Sequence, residues 1–299
     1  MTMLKGLAIT PPVVGRISIG RVVERNGKRL PEKDDQFTLT SQVQNREGWI
    51  LHPLDEALRK DAGGKLRSVP VQLLFDDPAL NLRADYSLFD RSTGRPVCVG
   101  NGETSRRMAK EGVTQESCPG PDACAFAMGE CKAYARLNVR VGEEDELGSF
   151  VLRTTSYNTI RTLAARLQYF HAVSGGRLAC MPLELKLRGK STTMSFRSAI
   201  YYVDLVVRSG LTLEQAITQA REVDQSRRDA GFDQEALDEA ARRGFANGAF
   251  EDLAEDVPAV VEEFYPDSQE PGSGAPAQTS DTVSLHERLQ KKVARAGTA

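Results

Sequence analysis

Three of the chain's five cysteines, Cys118, Cys124 and Cys131, fall within the stretch "CPGPDACAFAMGEC", and Cys98 precedes them by 20 positions in "RPVCVG". Thiolates are ligands for soft and borderline metals, and four of them close a tetrahedral zinc site. Pro119-Gly120-Pro121 turns the chain just after the first ligand of the cluster, and a strand ending at Cys98 can deliver the fourth. The spacings, C-x5-C and C-x6-C, are looser than a paired C-x-x-C pattern. An iron–sulfur cluster uses the same ligands and stays open beside zinc. A four-cysteine zinc site is coordinatively closed, so this pattern points to one structural metal per chain and not to hydrolysis. Cys180, in "RLACMPLEL", sits on an apolar strand and reads as a packed core thiol.

The remaining chemistry-bearing residues form no catalytic set. The three histidines, His52, His171 and His286, neighbour no nucleophile and make no H-E-x-x-H pattern. "GEEDELG" lines up Glu143, Glu144, Asp145 and Glu146, but consecutive side chains diverge, and the stretch reads as a turn between strands. "RGKSTT" imitates the end of a phosphate loop, yet Glu184 stands where that motif needs its first glycine. An enzyme is therefore weakly supported.

The elements that must position the cysteines change period along the chain. "VVGRISIGRVVERNGKRL" is β-branched and holds Asn26-Gly27, a hairpin-turn signal, and "QFTLTSQV" reads as a further strand. "VQLLFDDPALNLRADYSLFDRSTGRPVCVG" reads as three short strands. In "YARLNVRV", Leu137 and Val139 alternate with Arg136, Asn138 and Arg140, the period of a half-buried strand with a basic outer face. "SYNTIRTLAARLQYFHAV" switches to helical spacing, with Ser156 as N-cap and Gly175-Gly176 as stop. "RLACMPLELKLR" and "AIYYVDLVV" return to strands. These segments predict an α+β fold: an antiparallel sheet over residues 1–210 with one long packed helix and a four-cysteine knuckle inserted at 98–131. From Leu211 the chain reads as a helical acidic extension to residue 265, opened by Thr212 and Gln215 at capping-box spacing. A flexible linker at 266–282 and a short amphipathic tail at 283–299 come last.

Charge divides the same way: a net +7 to Gly210 and −9 beyond it. A basic body fits contact with nucleic acid or an acidic partner, and Arg136, Arg140, Lys186, Arg188 and Lys190 are the candidate contacts. Tyr134, Tyr201 and Tyr202 are the aromatics near them. No apolar run approaches the roughly 20 residues of a membrane span, and "MTMLKGLAITPPVVGR" makes a poor signal peptide. The chain reads as cytoplasmic, a compartment in which clustered cysteines are metal ligands or redox groups more often than disulfides.

"VCVGNGE", "CPGPDAC…CKAYARLNVRVGEEDELGSFVLRTTSYNTIRTLAARL" and "LELKLRGKSTT" together resemble the recombination directionality factor-like family of phages and integrative or conjugative elements. Some of its relatives are called "hydrolase or metal-binding protein". The resemblance implies a non-enzymatic accessory protein of DNA recombination on a mobile genetic element, whose partner is a recombinase of the serine-integrase type. The company that element-borne relatives keep with exonuclease-like genes implies an alternative, a single-stranded-DNA-binding or annealing partner of a recombination exonuclease. The label carried by those relatives leaves a metal-dependent hydrolase as a third reading.

Overall fold

A computed structural model describes residues 12–25, 28–45, 48–142, 148–191, 199–245 and 264–265. The "GEEDELG" carboxylates, most of the 246–265 stretch, the linker and the amphipathic tail lie outside the described residues. The chain divides into two units, Met1–Pro266 and Asp267–Ala299, and all of the described residues belong to the first.

The fold is α+β. Nine strands form one sheet in the order β3-β2-β1-β10-β9-β5-β6-β7-β8. In chain order they are β1 (Val13–Arg25), β2 (Lys28–Asn45), β3 (Gly48–Leu51), β5 (Leu82–Phe89), β6 (Pro96–Gly100), β7 (Thr104–Ala109), β8 (Gly112–Ser117), β9 (Lys132–Val139) and β10 (Ser149–Thr154). A second sheet orders β12 (Ile200–Val207), β11 (Leu183–Lys190) and β4 (Ser68–Val71). The helices are α1 (Pro53–Asp61), α2 (Pro78–Asn81), α3 (Tyr157–Ser174), α4 (Leu213–Asp229) and α5 (Gln234–Phe245).

The sheet is not wholly antiparallel. β1 pairs with β2 from Gly15↔Ser41 down to Arg25↔Lys28, the register that a two-residue hairpin at Asn26-Gly27 requires. On its other side β1 runs parallel to β10, with Ile17 opposite Leu152, and β3 lies on the outer edge of β2, with Asn45 opposite Gly48, Gln44 opposite Trp49 and Thr40 opposite Leu51. The β1–β10 pair joins strands far apart in the chain, so no local turn signal announces it. The "VQLLFDDPALNLRADYSLFDRSTGRPVCVG" stretch also differs from three strands in a row. β4 ends at Val71, Gln72 adds only an isolated bridge to Arg140, and a helical turn capped by Asp77 leads into β5. Asn81 stabilises that excursion: its side chain accepts from Leu74 and Phe75 N–H groups and donates to the Phe75 and Asp77 carbonyls.

Period-two alternation sends Ile17, Phe37, Leu39, Leu137, Val139, Phe150 and Leu152 to one face of the large sheet. Val69, Val71, Leu183, Leu185, Val203 and Leu205 of the small sheet meet them in the same core, with Ile160, Leu163, Leu167 and Phe170 of α3. Each fully buried aliphatic or aromatic side chain there contributes about 1.5–3 kcal/mol. α3 starts at Ser156, whose side chain accepts from Thr159 N–H, and stops at Gly175 in the left-handed region. Ala216 and Ala220 carry α4 onto the same core. Among the described residues no helix is long and apolar enough to cross a membrane.

Candidate metal centre

The four clustered cysteines come from four short pieces of backbone at one end of the large sheet. Cys98 lies on β6, and Cys118 follows the last residue of β8. Cys124 ends a single 3-10 turn at Pro121–Ala123, and Cys131 precedes β9. Gly120, between two prolines, has φ of 82°, a conformation that lets "CPGPDAC" reverse immediately after Cys118. A second turn, closed by Glu130 N–H donating to the Ala127 carbonyl at 2.8 Å, leads the chain to Cys131.

All four cysteines line one cavity of about 10 Å³, walled by Tyr86, Leu88, Arg107, Phe126 and Ala127. That is the volume of a single small sphere, enough for one water or ion. The Arg107 guanidinium lies 3.8 Å from the centroid of the Phe126 ring and closes one side. Gly100 lies under the site: a methyl group there would stand 2.8 Å from Cys118 Sγ and 2.9 Å from the Thr104 carbonyl. The Cys131 thiol is pushed up to about 11, first by burial and then by the neighbouring Cys124, Cys98 and Cys118 sulfurs. The described cysteines are free thiols, and among the described residues no group of three or more His, Cys, Asp or Glu is set at metal-holding geometry. The thiols therefore converge without being drawn into a formed coordination shell. Burial and the neighbouring sulfurs favour the protonated form of Cys131, a balance that a divalent cation reverses by binding thiolate.

The β7–β8 hairpin carries Cys118 into place, and sequence pattern alone does not reveal it. "TSRRMAKEGVTQES" holds two polar strands around a Lys110-Glu111-Gly112 turn, but every side chain of β8 is exposed and no apolar alternation marks it. Cys180 lies elsewhere, buried in the main core, with Arg227 Nη1 donating to its Sγ at 3.5 Å.

The candidate basic contacts separate into two sets. Arg136 lies on β9 and Arg140 just past its end, both on the side of the large sheet opposite the core. Arg136 stands in register with Arg83 on β5 and Arg153 on β10, and burial together with Arg83 and Arg153 pulls its guanidinium down to about 10. Arg140 is occupied with Gln72, through paired backbone hydrogen bonds and an Nη1–Oε1 contact of 3.1 Å. Lys186, Arg188 and Lys190 occupy alternate positions of β11 in the small sheet, opposite Asp204, Tyr202 and Ile200 of β12. Tyr134 is buried against Phe89, Phe264 and Tyr265, and is thereby a packing group.

A wider cavity of about 1000 Å³ lies between α4 and α5, with Asp76, Asp224 and Asp238 among its lining. Those three carboxylates are engaged. Asp238 accepts from the Asp76 and Asp77 N–H groups and from Gln234. Asp224 binds Arg177 and Arg228, and Asp76 accepts from Ala179 N–H while burial pushes its carboxyl up. Asp238 ties α5 to the β4–α2 connection, while Asp224 ties α4, and Asp76 that connection, to the segment at Arg177–Ala179.

Residues 14–208 match the model of the Gp3-like family, described as recombination directionality factor-like. No curated protein and no solved structure matches the chain. The matched span runs from β1 past the end of β12 and contains all five cysteines.

Proposed function

Because the chain belongs to the recombination directionality factor-like family, we propose that it is a non-enzymatic accessory protein of DNA recombination on a mobile genetic element, acting by binding a recombinase. In this reading one structural zinc, held by Cys98, Cys118, Cys124 and Cys131, locks the β6–β8 end of the sheet. The observation that carries it is the convergence of those four thiols on one ion-sized cavity inside the family-matched span. Four thiolates fill a tetrahedral shell, so the metal would fix loop geometry and leave no position for a reacting water. A fixed β6–β8 end is a surface that a protein partner can read.

An iron–sulfur cluster would use the same thiolates, and the colour of the protein distinguishes the two. The annealing alternative, in which the chain binds single-stranded DNA beside an exonuclease, needs exposed stacking aromatics; Tyr134 is packed away, which weighs against it. The hydrolase alternative needs free carboxylates around an open metal position, and Asp76, Asp224 and Asp238 of the α4–α5 cavity are committed to hydrogen bonds and ion pairs.

Two measurements test the reading. Protein purified without oxygen should be colourless and hold about one zinc per chain, and Cys124→Ser should lose metal and soluble yield together. Added to the recombinase of the same element, the protein should form a complex and raise excisive over integrative product. A metal-loaded protein that neither binds the recombinase nor shifts its products would sink the recombination role while leaving the zinc site standing.

A further inference from the structure

The β11–β12 hairpin outruns its sheet. β4 pairs with β11 only from Leu183↔Val71 to Lys186↔Ser68, with one further bond from Leu187 N–H to the Arg67 carbonyl. β12 continues alongside through Arg188↔Tyr202, Gly189↔Tyr201 and Lys190↔Ile200. Among the described residues these three pairs project as a two-stranded ribbon. Arg188 and Lys190 fall on one face of it, and Lys186 continues the same face of β11 where β4 still pairs, each about 6.7 Å from the next along the strand. The Tyr201 ring lies across the other face, close enough that a Cβ on Gly189 would stand 3.3 Å from it.

The charges on the basic face are held in position. Asp204, only 4% exposed, accepts from Arg166 Nε at 3.0 Å and Arg188 Nε at 3.3 Å, so one buried carboxylate orients two guanidinium groups. Lys190 Nζ donates to Asn158 Oδ1 at 2.7 Å and lies 5.9 Å over the Tyr202 ring. Glu184, the other carboxylate of the face, is buried and accepts from Ser209 N–H and Oγ–H. The anions are thus turned inward, while Arg166, Lys186 and Arg188 keep 40–47% of their side chains exposed.

We propose that this ribbon is a duplex-DNA contact, with Arg166, Lys186, Arg188 and Lys190 set against the phosphate backbone. A two-stranded ribbon is one of the two elements that fit the major groove of B-DNA, and a row of cations with its counter-charges buried is the footprint of backbone binding. A protein partner would instead need an apolar anchor at the centre of the contact; on this face Ile200 is the one exposed apolar side chain among the described residues. The choice of DNA rests on the recombination reading, but the test uses no recombinase, so the two fail separately.

The experiment is fluorescence anisotropy of the full chain with a labelled duplex oligonucleotide, and with its single strand, across a salt series. Wild type should bind the duplex more tightly than the single strand and lose affinity as salt rises. Arg188→Ala/Lys190→Ala should bind about tenfold more weakly, with a salt slope smaller by about 2. Its circular dichroism should stay that of wild type, with a thermal midpoint lowered only by loss of the Asp204 and Asn158 contacts, and Arg188→Lys/Lys190→Arg should restore binding. Arg161→Ala, exposed on α3, should bind as wild type does. Absence of duplex binding by wild type, equal duplex affinity in the double variant, or preference for the single strand would each overturn the proposal.

Discussion

At Gly100 the backbone of β6 passes so close to Cys118 that a single methyl group would stand 2.8 Å from the sulfur, 2.8 Å from Ser105 Cβ and 2.9 Å from the Thr104 carbonyl. Two of those atoms belong to the neighbouring strand and cannot swing aside as a flexible side chain would. Gly100→Ala should therefore push Cys118 out of the cavity, and elemental analysis should find well under one zinc per chain together with a lowered thermal midpoint. Cys180→Ser is the matching control. Its sulfur belongs to the core beside Arg227, so that variant should lose some stability and keep its metal. If Gly100→Ala held full zinc, the close approach would have no bearing on the site. The cysteines themselves are legible in the sequence, because residue type and a proline-glycine turn are local properties. Gly100 is not, since nothing in "RPVCVG" reveals which side chain a neighbouring hairpin will bring against it.

Between single residues and the whole fold, the elements divide by how local their signals are. Thr212 and Gln215 form a full capping box, each side chain bonded to the other's backbone, because both partners lie in one turn. α1 has no comparable signal: His52-Pro53 reads as a loop, yet His52 Nδ1 accepts from Leu54 N–H and Pro53 occupies the first helical turn. The helix is held by Asp55, which accepts from Arg59 Nε at 2.6 Å within the helix and from Leu39 N–H at 2.8 Å across a sequence separation that no periodicity shows. Phe264 and Tyr265 are the furthest such case. They come from the acidic extension but pack on Phe89 and Tyr134 of the large sheet. Tyr265 OH donates to the Phe89 carbonyl at 2.8 Å, and Lys132 Nζ donates to the Phe264 carbonyl at 3.2 Å. Phe264 is fully buried, so Phe264→Ala should cost about 3–5 kcal/mol. Tyr265→Phe, which removes one hydrogen bond and leaves the carbonyl in place, should cost about 1 kcal/mol. Urea unfolding of the two variants measures both. Losses within error of zero would show that this clasp does not hold the native state.

At the scale of the whole molecule, the main core and the cysteine end of the large sheet differ in what they bury among the described residues. The core shared by both sheets, α3 and α4 is apolar and draws on β1, β2, β4, β5, β9, β10, β11 and β12. None of its residues comes from β6, β7 or β8, and β8 is exposed along its whole length. Among the described residues those three strands add to their hydrogen-bond ladder a few buried side chains such as Val99 and Ser105, the Phe126–Arg107 contact and the four converging thiols. A sheet end so poor in buried apolar surface should open locally at a free energy far below that of the core unless something else ties it. In the zinc reading the metal is that tie, since binding to the folded site alone adds directly to its stability. Removing the metal with a chelator should then strip amide hydrogen-exchange protection from β6–β8 while leaving β9, β10 and β11 slow to exchange. Loss of protection through all strands together would mean that the cysteine end and the core unfold as one unit. Protection unchanged everywhere would mean that the ladder alone suffices, and that the four cysteines hold nothing the sheet needs.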